Sequence, residues 1–301
     1  PPRARGAARW CLVGAARWCT SQAATALSRT LMGATMSSCT LLVCVLVSTH
    51  AQQPAWLEPV QSGFGHQTAG RWVEAVAAYR AAIASGLPAQ HQLTVASNLG
   101  LALQNTGALN EALLVYDKVL AVLPTNADTH HNRGNALYQA SRHAEAMSAF
   151  DAAVLLVPTD AGSLFNRGNA ADKAGRRDEA AAAFGAALAL EPTDKAAAFN
   201  QANALAALGR NGEAETRFRL AVRLDGSYQP AYANLGLALA SQARHLEAAT
   251  AHRQALALEP ADTASGVGLG DALRSGGDAA AAARAYRAAL ALAPASASAY
   301  T

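Results

Sequence analysis

Apolar positions along the chain follow helix spacing in a pattern that keeps returning. Leu99, Ala102 and Leu103 fall on one helical face; after Gly107, Ala112, Val115, Tyr116, Val119 and Leu120 form a second stripe at three- and four-residue steps. Gly107 breaks the first helix and Pro124 stops the second, because proline can neither donate in nor continue a helix. The pattern predicts a helix, a tight turn and a helix. A Glu-Ala pair places this unit along the chain: Ala75, Ala112, Ala146, Ala180, Ala214 and Ala248 each follow a glutamate. The first interval is 37 residues and the rest are 34; Ala282 continues the series with Ala281 in the glutamate's place. The three extra residues lie in SGLPAQHQ, read as a loop from its Gly and Pro.

Other columns keep the period. Twelve residues before each anchor stands a small residue: Gly63, Gly100, Gly134, Gly168, Ala202, Gly236 and Gly270. Four after it stands a ring: Tyr79, Tyr116, Phe150, Phe184, Phe218, His252 and Tyr286. Twelve after it comes Pro124, Pro158, Pro192, Pro260 or Pro294, with Gly226 breaking that column. The small residues let two helices cross closely, and the ring is expected to fill the hole between neighbouring units. Neither helix can bury its stripe alone, so the units must stack. The expected fold is all-α, an α-solenoid of helix-turn-helix units over residues 56–89, 93–126, 127–160, 161–194, 195–228, 229–262 and 263–294.

Period, Leu-Gly-x-x-Leu, Ala-x-x-x-aromatic and closing proline together resemble the tetratricopeptide repeat, over residues 56–294. The resemblance implies a right-handed superhelix whose first helices line a concave face. GFGHQTAG in the first unit suggests a fraying or capping helix. SGVGLGDALRSGG in the seventh carries five glycines, each costing about 1 kcal/mol inside a helix. Residues 295–301 are read as the start of an eighth unit, since Tyr300 is in register with Tyr232, and the chain is expected to be a fragment.

Composition refines this picture. Hydrophobic residues make up 51% of the chain but aromatics only 6%, and much of the rest is alanine, which suits closely packed helices better than a sheet core. The net charge of +3 comes from the first fifty residues, which hold five arginines and no acid. The remainder has 19 basic and 21 acidic residues, so it carries no basic footprint for nucleic acid. All four cysteines, Cys11, Cys19, Cys39 and Cys44, precede residue 45, which excludes a disulfide framework or cysteine metal site in the repeats. Residues 1–51 read as a leader that is not part of the fold. MSSCTLLVCVLVSTHAQQ, from Met36, holds an apolar run too short to span a membrane and a Thr49-His50-Ala51 cleavage signature, as in a secretory signal. The stretch before it is Arg-bearing and acid-free, like an organelle transit peptide. Two arrangements stay open: translation from Met36 or Met32, or a bipartite leader. Either predicts export or delivery to an organelle lumen; the alternative is a cytoplasmic protein with a disordered tail. No stable transmembrane span is expected.

Fourteen residues before each anchor, five units carry asparagine: Asn98, Asn132, Asn166, Asn200 and Asn234. Asparagine is a mediocre helix former, so five in register need a reason. Neighbouring first helices stand about 10 Å apart, and an extended peptide advances about 3.3 Å per residue. One amide would meet bound backbone about every three residues, donating and accepting without reading side chains. The repeat arm of O-GlcNAc transferases is similar in carrying such a ladder. Local packing, or letters copied by duplication, is the competing explanation of the row and the stronger one from the letters alone. A second row follows at Asn135, Asn169 and Asn203, and Arg133 and Arg167 either add charge to a groove or edge the helix interface. His130-His131 reads as helix-start polarity, for no further metal ligand recurs. Ser97, His131, Phe165, Phe199 and Ala233 precede the ladder; lysines are absent there, which rejects carboxylate-clamp recognition of chaperone C-termini, while the two phenylalanines suggest an apolar patch.

No phosphate loop, nucleophile elbow, metal spacing or paired carboxylate stands out, and Glu74, Glu111, Glu145, Glu179, Glu213 and Glu247 read as repeat surface. The expected function is non-enzymatic: a scaffold binding a protein or peptide segment in its groove, with no cofactor and no metal. The alternative is the repeat arm of a glycosyltransferase resembling O-GlcNAc transferase, with its catalytic part beyond Thr301.

Overall fold

The computed structural model describes residues 54–292; the leader and the start of an eighth unit lie outside the described residues. Among these residues every regular element is a helix. They come in pairs: α1 (Leu57–Thr68) with α2 (Trp72–Ala84), α3 (Ala89–Asn105) with α4 (Leu109–Val122), α5 (Ala127–Gln139) with α6 (His143–Leu156), and α7 (Ala161–Lys173) with α8 (Arg177–Leu190). Then follow α9 (Lys195–Ala207) with α10 (Asn211–Leu224), α11 (Gln229–Ala240) with α12 (His245–Leu258), and α13 (Thr263–Ser275) with α14 (Ala279–Leu292). Every helix packs against the one before it and the one after it, so contacts are local and the array is an all-α solenoid. None of the described helices is long and apolar enough to cross a membrane.

The glycine and ring columns meet inside each unit. A Cβ added to Gly63, Gly100, Gly134, Gly168 or Gly270 would stand 2.4–2.7 Å from the ring of its own second helix, closer than any side chain tolerates. Tyr79, Tyr116, Phe150, Phe184, Phe218 and His252 are all buried. The ring is thus first the filler of its own unit's helix crossing, a detail the sequence reading placed between units. The two buried tyrosines carry their hydroxyls to amides: Tyr79 donates to Gln67 Oε1 at 2.7 Å and Tyr116 to Gln104 Oε1 at 3.2 Å.

Helix starts are held by a cap column. Asn126, Asp160, Asp194 and Asp262 accept backbone N–H groups from the first turn of α5, α7, α9 and α13. Between the helices of a pair the chain turns through one left-handed residue, glycine at Gly70, Gly107, Gly175, Gly209 and Gly277 but Ser141 and Ala243 in the other two units. A Cβ in that region is strained. Replacing Ala243 with glycine is expected to raise stability by about 1 kcal/mol, read as a higher urea midpoint; a lower midpoint would show that the turn is not strained.

In the seventh unit only three of the five glycines lie inside the first helix. Gly276 and Gly277 lie past the end of α13 and form its cap and turn. The other three glycines are pressed by neighbours: Gly266 by Ala289, Gly268 by His252 and Gly270 by Tyr286. They are small because something stands where a side chain would go. The first unit's GFGHQT is helical as well, within α1.

Candidate functional site

Asn98, Asn132, Asn166, Asn200 and Asn234 stand at the same height on α3, α5, α7, α9 and α11, each half-buried. The second row interlocks with the first. Asn166 Nδ2 donates to Asn135 Oδ1 at 2.9 Å, Asn200 to Asn169 at 3.4 Å, and Asn234 to Asn203 at 2.7 Å. Three successive junctions are therefore bridged by one amide pair each. The second-row position of the first two units holds Phe64 and Leu101, whose side chains can accept nothing, and among the described residues the side chains of Asn98 and Asn132 have no hydrogen-bond partner. A primary amide has two N–H donors and an accepting oxygen. One donor is engaged at Asn166, Asn200 and Asn234, and the rest of each ladder amide is left for another molecule or water.

The neighbours of the ladder are mostly absorbed by packing. Phe165 stacks edge-on against Phe184 at 5.4 Å, and Phe199 lies against Phe218 and Tyr228 at 5.9 and 5.1 Å. They flank the row as half-buried parts of the core. Arg133 and Arg167 reach backwards to the preceding second helix, where Arg133 Nε donates to Asp117 Oδ1 at 2.7 Å and Arg167 pairs with Asp151. Their charges are engaged at the helix interface.

His130 and His131 part company. His130 Nε2–H donates to the carbonyl of Pro124 at 2.9 Å. His131 Nδ1–H donates to Ser163 Oγ at 2.7 Å, and that hydroxyl donates to Asp160. A serine, a histidine and an aspartate thus meet, but in the wrong order for nucleophilic catalysis: the carboxylate holds the serine instead of orienting the imidazole. Ser163 is fully buried, so no substrate can reach it. Burial pushes the His131 pKa down, against a weaker upward pull from Asp160 and Asp128. The trio is a tie between α5 and α7. Sequence reading missed it because its two sides are 32 residues apart, two short of the period. Among the described residues no group of histidine, cysteine or carboxylate side chains is placed to hold a metal ion.

Stacked two-helix units define a helical repeat scaffold, the architecture of a protein-interaction module. The chain contains tetratricopeptide repeats: family models described as "Tetratricopeptide repeat" and "TPR repeat" match residues 165–228 and 100–141. Solved structures agree on the fold. A tetratricopeptide repeat protein from Parabacteroides merdae superposes with a TM-score of 0.59 at 16% identity, over 80% of this chain and 94% of its own. YrrB, described as "a TPR protein with an unusual peptide-binding site", gives 0.54 at 19% identity, over 60% and 92%. MamA gives 0.52 at 20% identity, over 53% and 93%. No curated protein matches.

Proposed function

We propose that the array is a scaffold that grips the backbone of an extended peptide segment along the asparagine row, on the face formed by the first helices. One observation carries this: the five in-register amides are half-buried yet keep hydrogen-bonding groups that the array does not use, with Asn98 and Asn132 wholly free. A half-buried amide left idle wastes binding capacity that a peptide backbone can meet. Recognition of this kind reads main chain more than side chain, and aromatic neighbours such as Phe165 and Phe199 would add apolar contact. The leader would deliver this scaffold out of the cytoplasm or into an organelle.

Five rungs at about 10 Å span roughly 40 Å, or about twelve extended residues. A displayed library of linear peptides of that length, selected on the full chain, supplies the probe. Asn98→Ala with Asn132→Ala leaves the inter-unit bridges intact, since neither side chain takes part in one. It is expected to weaken the selected peptides about tenfold, two hydrogen bonds at about 0.7 kcal/mol each. N-methylation of alternate peptide amides should do the same. Unchanged affinity in a variant with an unaltered melting curve would leave the row as packing only.

A further inference from the structure

From the second unit to the sixth, the glutamate that precedes the anchor alanine receives a guanidinium group. Glu179 takes Arg176 of its own unit at 2.5 Å and Arg167 of the first helix at 3.5 Å. Glu247 takes its own Arg244 at 2.6 Å and Arg219 of the preceding unit at 3.1 Å. Glu111 takes Arg80, again from the preceding unit, at 2.5 Å. At the junction between the second and third units the cation goes to the neighbouring helix instead, as Arg133 on Asp117. A carboxylate has room for this, with about four lone-pair sites on its two oxygens.

Glu145 takes only its own Arg142, with the Arg133–Asp117 pair beside it, and Glu213 likewise has a single arginine. Its own Arg210 binds it through both nitrogens, at 2.7 and 2.8 Å, and no second guanidinium arrives. Among the described residues no ion pair crosses from α8 to α9 or α10. The reason is three truncations at equivalent places. Where Arg167 stands one unit earlier, α9 has Gln201; where Met147 stands, α8 has Ala181; and Gly185 replaces the Asp151 that Arg167 pairs with. The space these side chains would fill is a cavity of about 340 Å³, lined by Ala181, Ala182, Gln201, Leu205 and Glu213 among others. Gln201 is turned by its Nε2–H, which donates to the carbonyl of Ala181 at 3.2 Å. Its Oε1 is consequently buried and has no donor.

We propose that this cavity, between the second helix of the fourth unit and the fifth unit, takes an arginine side chain from a partner protein. The guanidinium donates to the free lone pairs of Glu213 and, once the Gln201 amide turns into the cavity, to its Oε1, standing where Arg167 and Arg219 stand against Glu179 and Glu247. Its methylene stem lies on Ala181, Ala182 and Leu205. Net charge does not select it, because Asp178 and Glu213 on the lining balance Arg210 and Arg217. Selection comes from planar donors meeting a carboxylate and a buried amide oxygen together, which a lysine ammonium satisfies less well. None of the ladder asparagines lines this cavity, so the inference stands apart from the peptide row.

The test titrates N-acetyl-arginine amide into the full chain and follows backbone and side-chain amide NMR signals. Saturable shifts are expected at Ala181, Gln201, Glu213 and Thr216. The neutral citrulline analogue should bind about tenfold or more weakly, and the lysine analogue less tightly than arginine. Gln201→Arg places a guanidinium on the chain itself, as at Arg167, and should abolish saturation. Glu213→Gln, at an exposed residue that leaves the packing alone, should weaken binding about tenfold. A cavity that holds only water gives no saturable shift, and that overturns the proposal. So does equal binding of citrulline, or binding that survives both variants.

Discussion

Replacing Phe150 with alanine is expected to lower stability by about 3–5 kcal/mol, the largest effect of any single change considered. The ring is fully buried and lies directly on the backbone of Gly134, with the imidazole of His131 edge-on at 5.7 Å. Truncation leaves a hole against a glycine backbone, which has no side chain to collapse inward. Phe150→Leu keeps most of the volume and should cost about 1.5 kcal/mol or less. In a linear array the loss is felt locally. Helicity followed by circular dichroism in urea should therefore show an early phase from the third unit and its neighbours, ahead of the rest. A loss below about 1 kcal/mol for the alanine variant would mean that the helix crossing, not the ring, holds the unit together.

Replacing His252 with phenylalanine should raise stability by about 1–3 kcal/mol at neutral pH, and by more in acid. His252 is the ring of the sixth unit, seated between the backbones of Gly236 and Gly268, and both of its ring nitrogens are buried without a partner. Gly268 occupies the ladder position of the seventh unit; an asparagine there would collide with the imidazole. Burial lowers the pKa of His252, and the carboxylates of Asp262 and Asp271 oppose this only partly. The folded state therefore binds a proton less readily than the unfolded chain. The stability carried by the neutral ring is complete above the ordinary histidine pKa of about 6.5 and is lost as pH falls through it toward the lower folded value. Urea midpoints of the two proteins should diverge between pH 7 and pH 5, the parent falling faster. Parallel profiles would show that the parent's acid sensitivity has another source.

Much of the fold is legible in the letters because helix pairs repeat with one period, so every column is read several times over. Gly134 under Phe150, or Gly168 under Phe184, follows from small and large residues sixteen apart on facing helices. What escaped were contacts that cross units out of phase. Asn166 meets Asn135 and not Asn132, a separation of 31 residues that a search at 34 passes over. Glu179 and Glu213 look alike in sequence, and only their neighbours show that one is doubly paired while the other borders a cavity. The reason for the glycines of α13 was also hidden, because helix propensity describes an isolated helix, whereas Gly268 and Gly270 answer to rings pressed against them. The ladder itself was visible as letters, but its division into latched and free amides was not.

The latches have a consequence for how such a chain can change length. Asn135 bonds Asn166, and Asn169 bonds Asn200, through identical letters in identical places. Excising residues 161–194 would bring Asn200 into the place that Asn166 held, and the bond to Asn135 would form again. Between the third and sixth units the chain can gain or lose a whole repeat and keep the amide latch at every junction, while the His131–Ser163 tie and the Arg167–Asp151 pair would go with the excised unit.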